Sequence, residues 1–240
     1  MRQKYTHYSQ GPANKLKKLR ISVATLLAKA LQDTSKGRAT AEAGRIEAMG
    51  LYAPGGGRKY LNAAERRRYA AAAETMPPSV REFCLLIMWS GCRISEALAV
   101  TAAAVDYEAG TVSLLTLKRR RARVVRQVPL PPSFMSDLSA AFGLPERARD
   151  PLLASLRLWN WSRSTGWRYV KEVMRRARIS GAAAMPKGLR HAFGAAAFQA
   201  VPPHLVQRWL GHASLRTTAI YGEVSGDEER LLAERLWRAW

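Results

Sequence analysis

Five short stretches of the sequence carry side chains that could act on a phosphate group. In chain order they contain Arg93, Lys118, Lys187 with Arg190, His212, and Tyr221. Together they supply several cations, a hydrogen-bond donor and one phenol. A phosphodiester under attack needs fixed cations for the charge that spreads over its oxygens, and a proton for its leaving oxygen. The set therefore contains the components for attack of a tyrosine on a phosphate without a metal ion.

The phenol is the most demanding of these components. A free tyrosine has a pKa near 10, so only about one in a thousand is ionised at pH 7, which corresponds to about 4 kcal/mol. Tyr221 lies nine residues after His212, which itself follows Gly211 at the predicted end of a helix. On the residues alone, a core tyrosine and a polar loop histidine are the ordinary interpretations of this pair.

Arg93 lies among apolar residues, just after Gly91. An arginine is costly to bury in such a place unless it is paired. Glu96 lies three residues further on and would share a helix face with Arg93, so the two can form an ion pair. An ordinary surface pair is one interpretation, and a pair that presents the arginine to a ligand is the other.

Lys187 and Arg190 follow Pro186, a residue typical of helix starts, and their spacing of three places them on one helix face. A lysine has a pKa near 10.4 and is a poor base unless neighbouring cations lower it, so contact with phosphate is the simpler role for Lys187. His191 is a second candidate, but it is predicted on another face of the helix. A hydrogen-bonding role within the helix or core is expected for it.

In order and spacing, these stretches resemble the tyrosine recombinase (phage integrase) family of DNA strand-exchange enzymes. By that resemblance, Arg93 and Arg190 correspond to the two catalytic arginines, and Tyr221 corresponds to the nucleophile. Glu96 corresponds to the acidic residue that orients the first arginine. Lys187 is a departure from the family pattern, which usually has histidine at this position.

A basic cluster lies between two segments rich in β-branched residues, 111–117 and 124–128, and is predicted to form a hairpin tip. Its arginines, expected to contact the DNA backbone, are Arg119, Arg120, Arg121 and Arg123. The resemblance implies a lysine on this hairpin that protonates the leaving 5′ oxygen, and Lys118 is the only lysine there. It also implies an assisting role for His212. A solvated basic turn is the competing interpretation of the individual arginines.

The resemblance implies a site-specific recombinase, of the integrase or resolvase type, that works through a 3′-phosphotyrosyl intermediate without cofactor or metal. The expected partners are double-stranded DNA and further copies of the chain, in a tetrameric synapse on DNA. A predicted helix at residues 226–240 would dock on a neighbouring subunit, or alternatively pack on its own domain. The alternative functions are DNA relaxation like that of a type IB topoisomerase and non-catalytic DNA binding on the same fold.

The elements that must position these residues are mainly helical, with one small antiparallel β-sheet. Asn62 and Glu65 have the spacing of a capping box at the first helix of the main domain. Helical patterns cover residues 62–74, 79–89, 93–100, 134–142, 164–178, 187–199, 204–210, 215–221 and 226–240. Together with the resemblance, this predicts a tyrosine-recombinase-like catalytic domain.

Composition agrees with a nucleic-acid partner. Lys and Arg number 39 against 18 Asp and Glu, a formal net charge of +21, which repels itself unless a polyanion binds. At 48% apolar residues the chain is too hydrophobic for a disordered basic tail. Cys84 and Cys92 are expected as buried thiols, and the chain is expected to be a cytoplasmic, DNA-associated prokaryotic protein with no membrane segment and no small-molecule substrate.

The chain is predicted to divide at a glycine-rich segment. Residues 1–52 would form a short basic helical arm, a reduced version of a core-binding region, and residues 53–57 a flexible linker. Residues 58–240 would form the catalytic domain with its C-terminal helix. In the arm, the residues expected to contact DNA are Lys15, Lys17 and Lys18.

Overall fold

The computed structural model describes residues 50–116, 124–223 and 234. Within these residues the chain forms ten α-helices and one three-stranded antiparallel sheet. The predicted fold class, mainly helical with a small antiparallel sheet, is therefore confirmed.

The first three helices are α1 (Ala63–Glu74), α2 (Pro78–Ser90) and α3 (Ile94–Ala97). The predicted capping box is present at the start of α1. The Asn62 side-chain oxygen accepts a hydrogen bond from the Glu65 amide at 2.8 Å, and the Glu65 carboxylate accepts one from the Asn62 amide at 2.9 Å. These two bonds satisfy amides that a helix start leaves without partners.

The sheet consists of β1 (Val105–Asp106), β2 (Thr111–Thr116) and β3 (Val124–Pro129), in that spatial order. Strands β2 and β3 are the two that the β-branched segments predicted. Thr116 pairs with Val124 at the end of the β2–β3 ladder nearest the hairpin tip, and residues 117–123 connect the two strands. The hairpin is thus confirmed up to its tip, and Lys118 and the neighbouring arginines lie outside the described residues.

The rest of the described chain is helical. The helices are α4 (Pro132–Phe142), α5 (Leu144–Arg149), α6 (Pro151–Ser155), α7 (Arg163–Arg176), α8 (Pro186–Ala200), α9 (Pro203–Leu210) and α10 (Leu215–Ala219). A 3₁₀ turn, Ile220–Glu223, follows α10 directly. Sequence patterns missed α5 and α6, which have only six and five residues and carry a proline in the first turn.

Helix α2 lies at the centre of the core and packs against α1, α4, α7 and α8. It is apolar on nearly every side, and Phe83, Leu86 and Ile87 are fully buried. Trp159 packs edge-on against Phe83 and donates a hydrogen bond of 2.7 Å from its indole nitrogen to the Ser79 carbonyl. Because α2 ends at Gly91, this packing fixes the point from which the chain leaves toward Arg93.

The two cysteines lie in the core, as predicted. Cys84 and Cys92 are buried free thiols, and burial raises their pKa values to about 12 and about 11.

In the predicted linker, the Ala53 amide donates to the Gly57 carbonyl at 2.7 Å, which makes the segment a closed turn, and Leu51 before it is buried. The division into arm, linker and catalytic domain stays a prediction, because residues 1–49, with Lys15, Lys17 and Lys18, lie outside the described part of the chain.

No helix in the described ranges is both long and apolar enough to cross a membrane.

Candidate active site

Arg93 lies at the start of α3 and not inside a longer helix, so the predicted helix over residues 93–100 is wrong in its extent. Gly91 ends α2 in the left-handed region, with φ of 60°, and the chain turns there. A Cβ at Gly91 would lie 2.5 Å from the Phe193 ring, so the turn has room only for glycine. Arg93 then takes an extended conformation as the N-cap residue, and α3 runs for only four residues.

The predicted pairing of Arg93 with Glu96 is present. The Arg93 guanidinium donates to one Glu96 carboxylate oxygen at 2.7 Å, and the Arg93 amide donates to the other at 3.0 Å. The Arg93 side chain stays 36% exposed while Glu96 is buried. The buried carboxylate of Glu96 therefore holds the Arg93 guanidinium at a place where a ligand can reach it.

Glu96 has a second cationic partner, Arg126 on β3. Arg126 donates to Glu96 at 2.6 Å, to the Trp209 carbonyl at 2.6 Å and to the Thr116 hydroxyl at 3.0 Å. Burial would raise the pKa of Glu96, but the charge and hydrogen bond of Arg126, followed by those of Arg93, outweigh it and lower the pKa below the ordinary value. The carboxylate is therefore ionised at neutral pH and fixes both guanidinium groups.

Sequence reasoning did not single out Arg126, although a signal was available. Residues Val124, Arg126 and Val128 alternate with more exposed neighbours, and in β3 the side chains of Arg126 and Val128 are buried. Strict alternation in a strand therefore predicts an inward-facing arginine at this position. The signal was obscured by the run of arginines immediately before it.

Arg190 is buried on α8 and bonds to two main-chain carbonyls. It donates to the Gly91 carbonyl at 2.8 Å and to the Leu210 carbonyl at 2.7 Å. Both carbonyls lie at the C-terminal ends of helices, α2 and α9, where the helix dipole favours a cation. Burial, together with the charge of Arg93, lowers the pKa of Arg190 to about 10, so the guanidinium remains charged at neutral pH.

Lys187 lies in the first turn of α8, three residues before Arg190, and its side chain is exposed. The preceding 3₁₀ turn, Gly181–Ala183, approaches the start of α8 closely. This approach depends on Gly188, where a Cβ would lie 2.0 Å from the Ala183 carbonyl oxygen. Lys187 thus lies at the exposed edge of the site, while Arg190 is buried within it.

His212 leaves α9 through Gly211, which has φ of 68° and ends the helix as predicted. Its Nδ1 lies 3.0 Å from the hydroxyl of the buried Thr218. Burial, followed by the charges of Arg190 and Arg93, lowers the pKa of His212 to about 3, so the ring is neutral at pH 7. A neutral ring whose Nδ1 faces a hydroxyl leaves Nε2 as the nitrogen that can meet a phosphate.

Tyr221 lies in the 3₁₀ turn after α10, and only 1% of its surface is exposed. Its ring lies nearly parallel to that of His212, with 6.1 Å between centroids and 13° between planes. A Cβ at Gly194 would lie 2.3 Å from Tyr221 Cζ, so the ring sits directly on that glycine of α8. Burial raises the pKa of Tyr221 to about 12, against the opposing effect of the charges of Arg190 and Arg93.

His191 is a buried hydrogen-bonding residue, as the sequence suggested, and its partner belongs to this site. Its Nδ1 lies 3.3 Å from the Tyr221 hydroxyl, and the ring is 4% exposed. His191 lies four residues after Lys187, so on α8 it is a neighbour of Lys187 and does not lie on a separate face. What the sequence could not indicate is that the chain brings Tyr221 back onto this part of α8.

The structure therefore brings together Arg93, Glu96, Arg190, His212 and Tyr221 from four separate segments. The charges of Arg190 and Arg93 both lower the pKa of Tyr221, an effect that requires the two cations to lie near the phenol. Lys118, Arg119, Arg120, Arg121 and Arg123 stay predictions because their segment is not described. Thr116 and Arg126, at the base of their hairpin, contact the α9 end of the site.

Comparison with known proteins gives one family match and several relatives. The family model described as "Phage integrase family" matches residues 59–228, which include the whole described site. The chain is 28% identical over 197 residues to the tyrosine recombinase XerA of Pyrococcus furiosus, a match that covers 72% of this chain and 66% of that protein. It is 32% identical over 169 residues to a tyrosine recombinase XerD of Neisseria meningitidis, covering 66% of this chain and 56% of the relative. The chain thus spans between about half and two thirds of the length of these relatives.

Solved structures agree on the fold. The crystal structure of XerA recombinase has a TM-score of 0.61 at 21% identity and covers 73% of this chain and 64% of that chain. The XerH site-specific recombinase, in its pre-cleavage complex with the difH substrate, has a TM-score of 0.59 at 23% identity, covering 74% of this chain and 53% of that chain. At these identities the likeness establishes a shared fold.

Proposed function

This chain belongs to the phage integrase family, and on that premise we propose that it is a site-specific recombinase that cleaves and rejoins double-stranded DNA through a 3′-phosphotyrosyl intermediate. The observation that carries the proposal is the placement of the buried phenol of Tyr221 within the influence of two fixed guanidinium groups, those of Arg93 and Arg190. A DNA-binding protein without chemistry has no use for this arrangement.

In the proposed reaction, Tyr221 Oη attacks the scissile phosphorus while the bond from phosphorus to the 5′ oxygen breaks. Tyr221 releases its proton to water as the new bond forms, and Lys118 gives one to the departing 5′ oxygen. Arg93 and Arg190 bind the nonbridging oxygens, on which negative charge increases in the transition state. The phosphotyrosyl bond retains the energy of the broken phosphodiester, so religation needs no further energy source.

His212 and Lys187 complete the proposed contacts to phosphate. His212 is neutral at pH 7 and acts as a hydrogen-bond donor, which costs less in a cationic site than a third positive charge. Lys187 contributes a positive charge at the exposed edge of the site.

The resting site keeps the nucleophile neutral. With a pKa of about 12, ionising Tyr221 at pH 7 costs about 7 kcal/mol. Attack therefore depends on proton loss as the new bond to phosphorus forms, when the phenol oxygen becomes less basic. Because the phenol loses its proton only when DNA is bound, the free protein carries no reactive phenolate at this position.

Double-stranded DNA is the proposed partner, and the net charge of +21 supports it. A groove of about 630 Å³ lies between the base of the β2–β3 hairpin and α9, with Gln207, Arg208 and His212 among its lining residues. The proposed assembly is a tetrameric synapse on DNA. The helix predicted at residues 226–240 would dock on a neighbouring subunit, and apart from Glu234 that helix lies outside the described residues.

Trapping of the intermediate tests the proposed function. A suicide DNA with a nick close to the cleavage position loses its short 5′ fragment after attack, so religation fails and the covalent adduct accumulates. Because the binding site is unknown, target sites are first selected from a random-sequence library by the adducts they form. We expect an adduct that survives denaturing electrophoresis. Joining of two different sites is expected as well, and relaxation of supercoils without joining would instead favour a topoisomerase.

A sulfur substrate tests Lys118 as the acid. Replacement of the bridging 5′ oxygen by sulfur gives a leaving group that departs without a proton. On normal DNA, Lys118→Ala should therefore cleave at least roughly 10²-fold more slowly than the parent. On the sulfur substrate it should cleave at close to the parental rate. Arg121→Ala is the control and should show no such rescue. If Lys118→Ala stays slow on the sulfur substrate, the acid is another group, with Lys187 the next candidate.

A further inference from the structure

His191 makes a direct contact with the reacting atom of the proposed nucleophile. Its Nδ1 lies 3.3 Å from Tyr221 Oη in a buried setting. Among the residues that the structure describes, His191 Nε2 is buried with no hydrogen-bond partner. A ring with one unsatisfied buried nitrogen is a poor choice for stability alone, so the contact made by its other nitrogen is the feature to explain.

The ring of Tyr221 is closely packed in the described site. It packs directly on Gly194 and lies nearly parallel to the ring of His212. The charges of Arg190 and Arg93, which would bind the phosphate, act on its pKa in this same position. With the ring confined in this way, the remaining freedom is the direction of the hydroxyl hydrogen and small shifts of the oxygen.

We propose that His191 is a catalytic residue that, as a neutral hydrogen-bond partner through Nδ1, fixes the Tyr221 hydroxyl for attack on the phosphate. The proposal rests on the proposed function and assigns to it a residue outside the group of Arg93, Lys118, Lys187, Arg190, His212 and Tyr221. In this role the imidazole aligns the oxygen and takes no proton from it.

The charges around His191 favour the neutral role over that of a general base. Arg190 is its neighbour in the chain, and Lys187 lies one helical turn before it. Burial, followed by the charges of Lys187, Arg190 and Lys59, lowers the pKa of His191 to about 3. Transfer of a proton from a phenol with a pKa of about 12 to this ring is strongly unfavourable, whereas a hydrogen bond between two neutral groups has no such cost.

The geometry at Nδ1 allows a test with matched amides. An asparagine side chain has its terminal oxygen and nitrogen close to the position of Nδ1, while glutamine extends toward the position of Nε2. His191→Asn therefore keeps a neutral partner for the phenol, and His191→Gln offers the same chemical group at the wrong reach. His191→Phe keeps the ring shape and removes the partner altogether.

The rate of adduct formation should separate these variants on the sulfur-substituted suicide DNA, where proton donation to the leaving group is not limiting. We expect His191→Phe and His191→Gln to be slower by roughly 10²-fold, the order of loss when a reacting group is misplaced. His191→Asn should be within about tenfold of the parent. A His191→Asn variant as slow as His191→Phe overturns the neutral role, and a His191→Phe variant at the parental rate overturns any role in attack.

A second measurement does not depend on activity. In ¹⁵N spectra of protein labelled at histidine, the His191 signals can be assigned by their loss in His191→Asn. They should show the neutral imidazole at pH 7, both free and bound to DNA, and an imidazolium would contradict the proposal. If the parent forms no adduct on any DNA, the proposed function fails, whereas the spectra still test the neutral contact in the free protein.

Discussion

Tyr221→Phe should remove covalent attachment to DNA completely while leaving the fold and DNA binding intact. The substitution deletes one oxygen, and the phenyl ring keeps its place on Gly194 and beside His212. Among the described residues, that oxygen forms a hydrogen bond of 3.3 Å with His191, so the cost in stability should be no more than about 1–2 kcal/mol. Denaturing electrophoresis with suicide DNA measures the adduct, and thermal melting measures the fold.

The matched control is Tyr107→Phe. Tyr107 is 56% exposed and lies in the turn between β1 and β2. This variant should form adduct at the parental rate. If instead Tyr221→Phe still becomes attached to DNA, another tyrosine is the nucleophile. Tyr169, which packs against Trp161, and Tyr107 itself would then be tested by mapping the attached peptide.

Arg190→Ala should have the second largest effect, on cleavage and on stability together. Loss of one transition-state donor typically costs roughly 10²–10³-fold in rate. Removal of this guanidinium also leaves the carbonyls of Gly91 and Leu210 buried without their donors, at about 1–3 kcal/mol for each. Single-turnover cleavage at saturating protein and a melting curve measure the two losses separately.

Arg93→Ala provides the comparison. Arg93 is partly exposed, and Glu96 keeps Arg126 as a partner when Arg93 is removed. Cleavage should therefore fall by a similar 10²–10³-fold, with a smaller change in melting temperature than for Arg190→Ala. Arg175→Ala, at a side chain that is 73% exposed and pairs with Glu172 on its own helix, should change neither. Parental cleavage by Arg190→Ala, once corrected for the folded fraction, would remove this residue from the proposed site.

The sequence was informative wherever local rules apply. The capping box at Asn62 and Glu65 and the glycine that ends α9 before His212 are short-range patterns, and both were predicted correctly. The pair Arg93–Glu96 was also predicted, but the helix that contains it is shorter than its apolar pattern suggests. Periodicity cannot detect that the chain must turn out of α3 to reach the sheet.

The contacts that the sequence did not predict all join distant segments. His191 meets Tyr221 across 30 residues, and Arg126 meets Trp209 across 83. Such contacts depend on how α8, β3 and α9 pack, and no local pattern encodes that packing. For this reason motifs indicate the candidate residues of the site, and a local pair such as Arg93–Glu96, whereas the hydrogen bonds between distant segments could not be predicted.

The shared carboxylate of Glu96 also has a consequence for how this sequence can change over evolutionary time. Loss of Arg126 leaves a buried negative charge with one partly exposed partner, and loss of Glu96 leaves a buried guanidinium without its anion. Breaking a buried pair on one side costs about 3–5 kcal/mol, a large part of the roughly 5–15 kcal/mol that stabilises a typical domain. A lineage can therefore replace these two residues only together, or after stabilising changes elsewhere. The order in which substitutions are accepted around the site is thus restricted by a residue that need not touch the substrate.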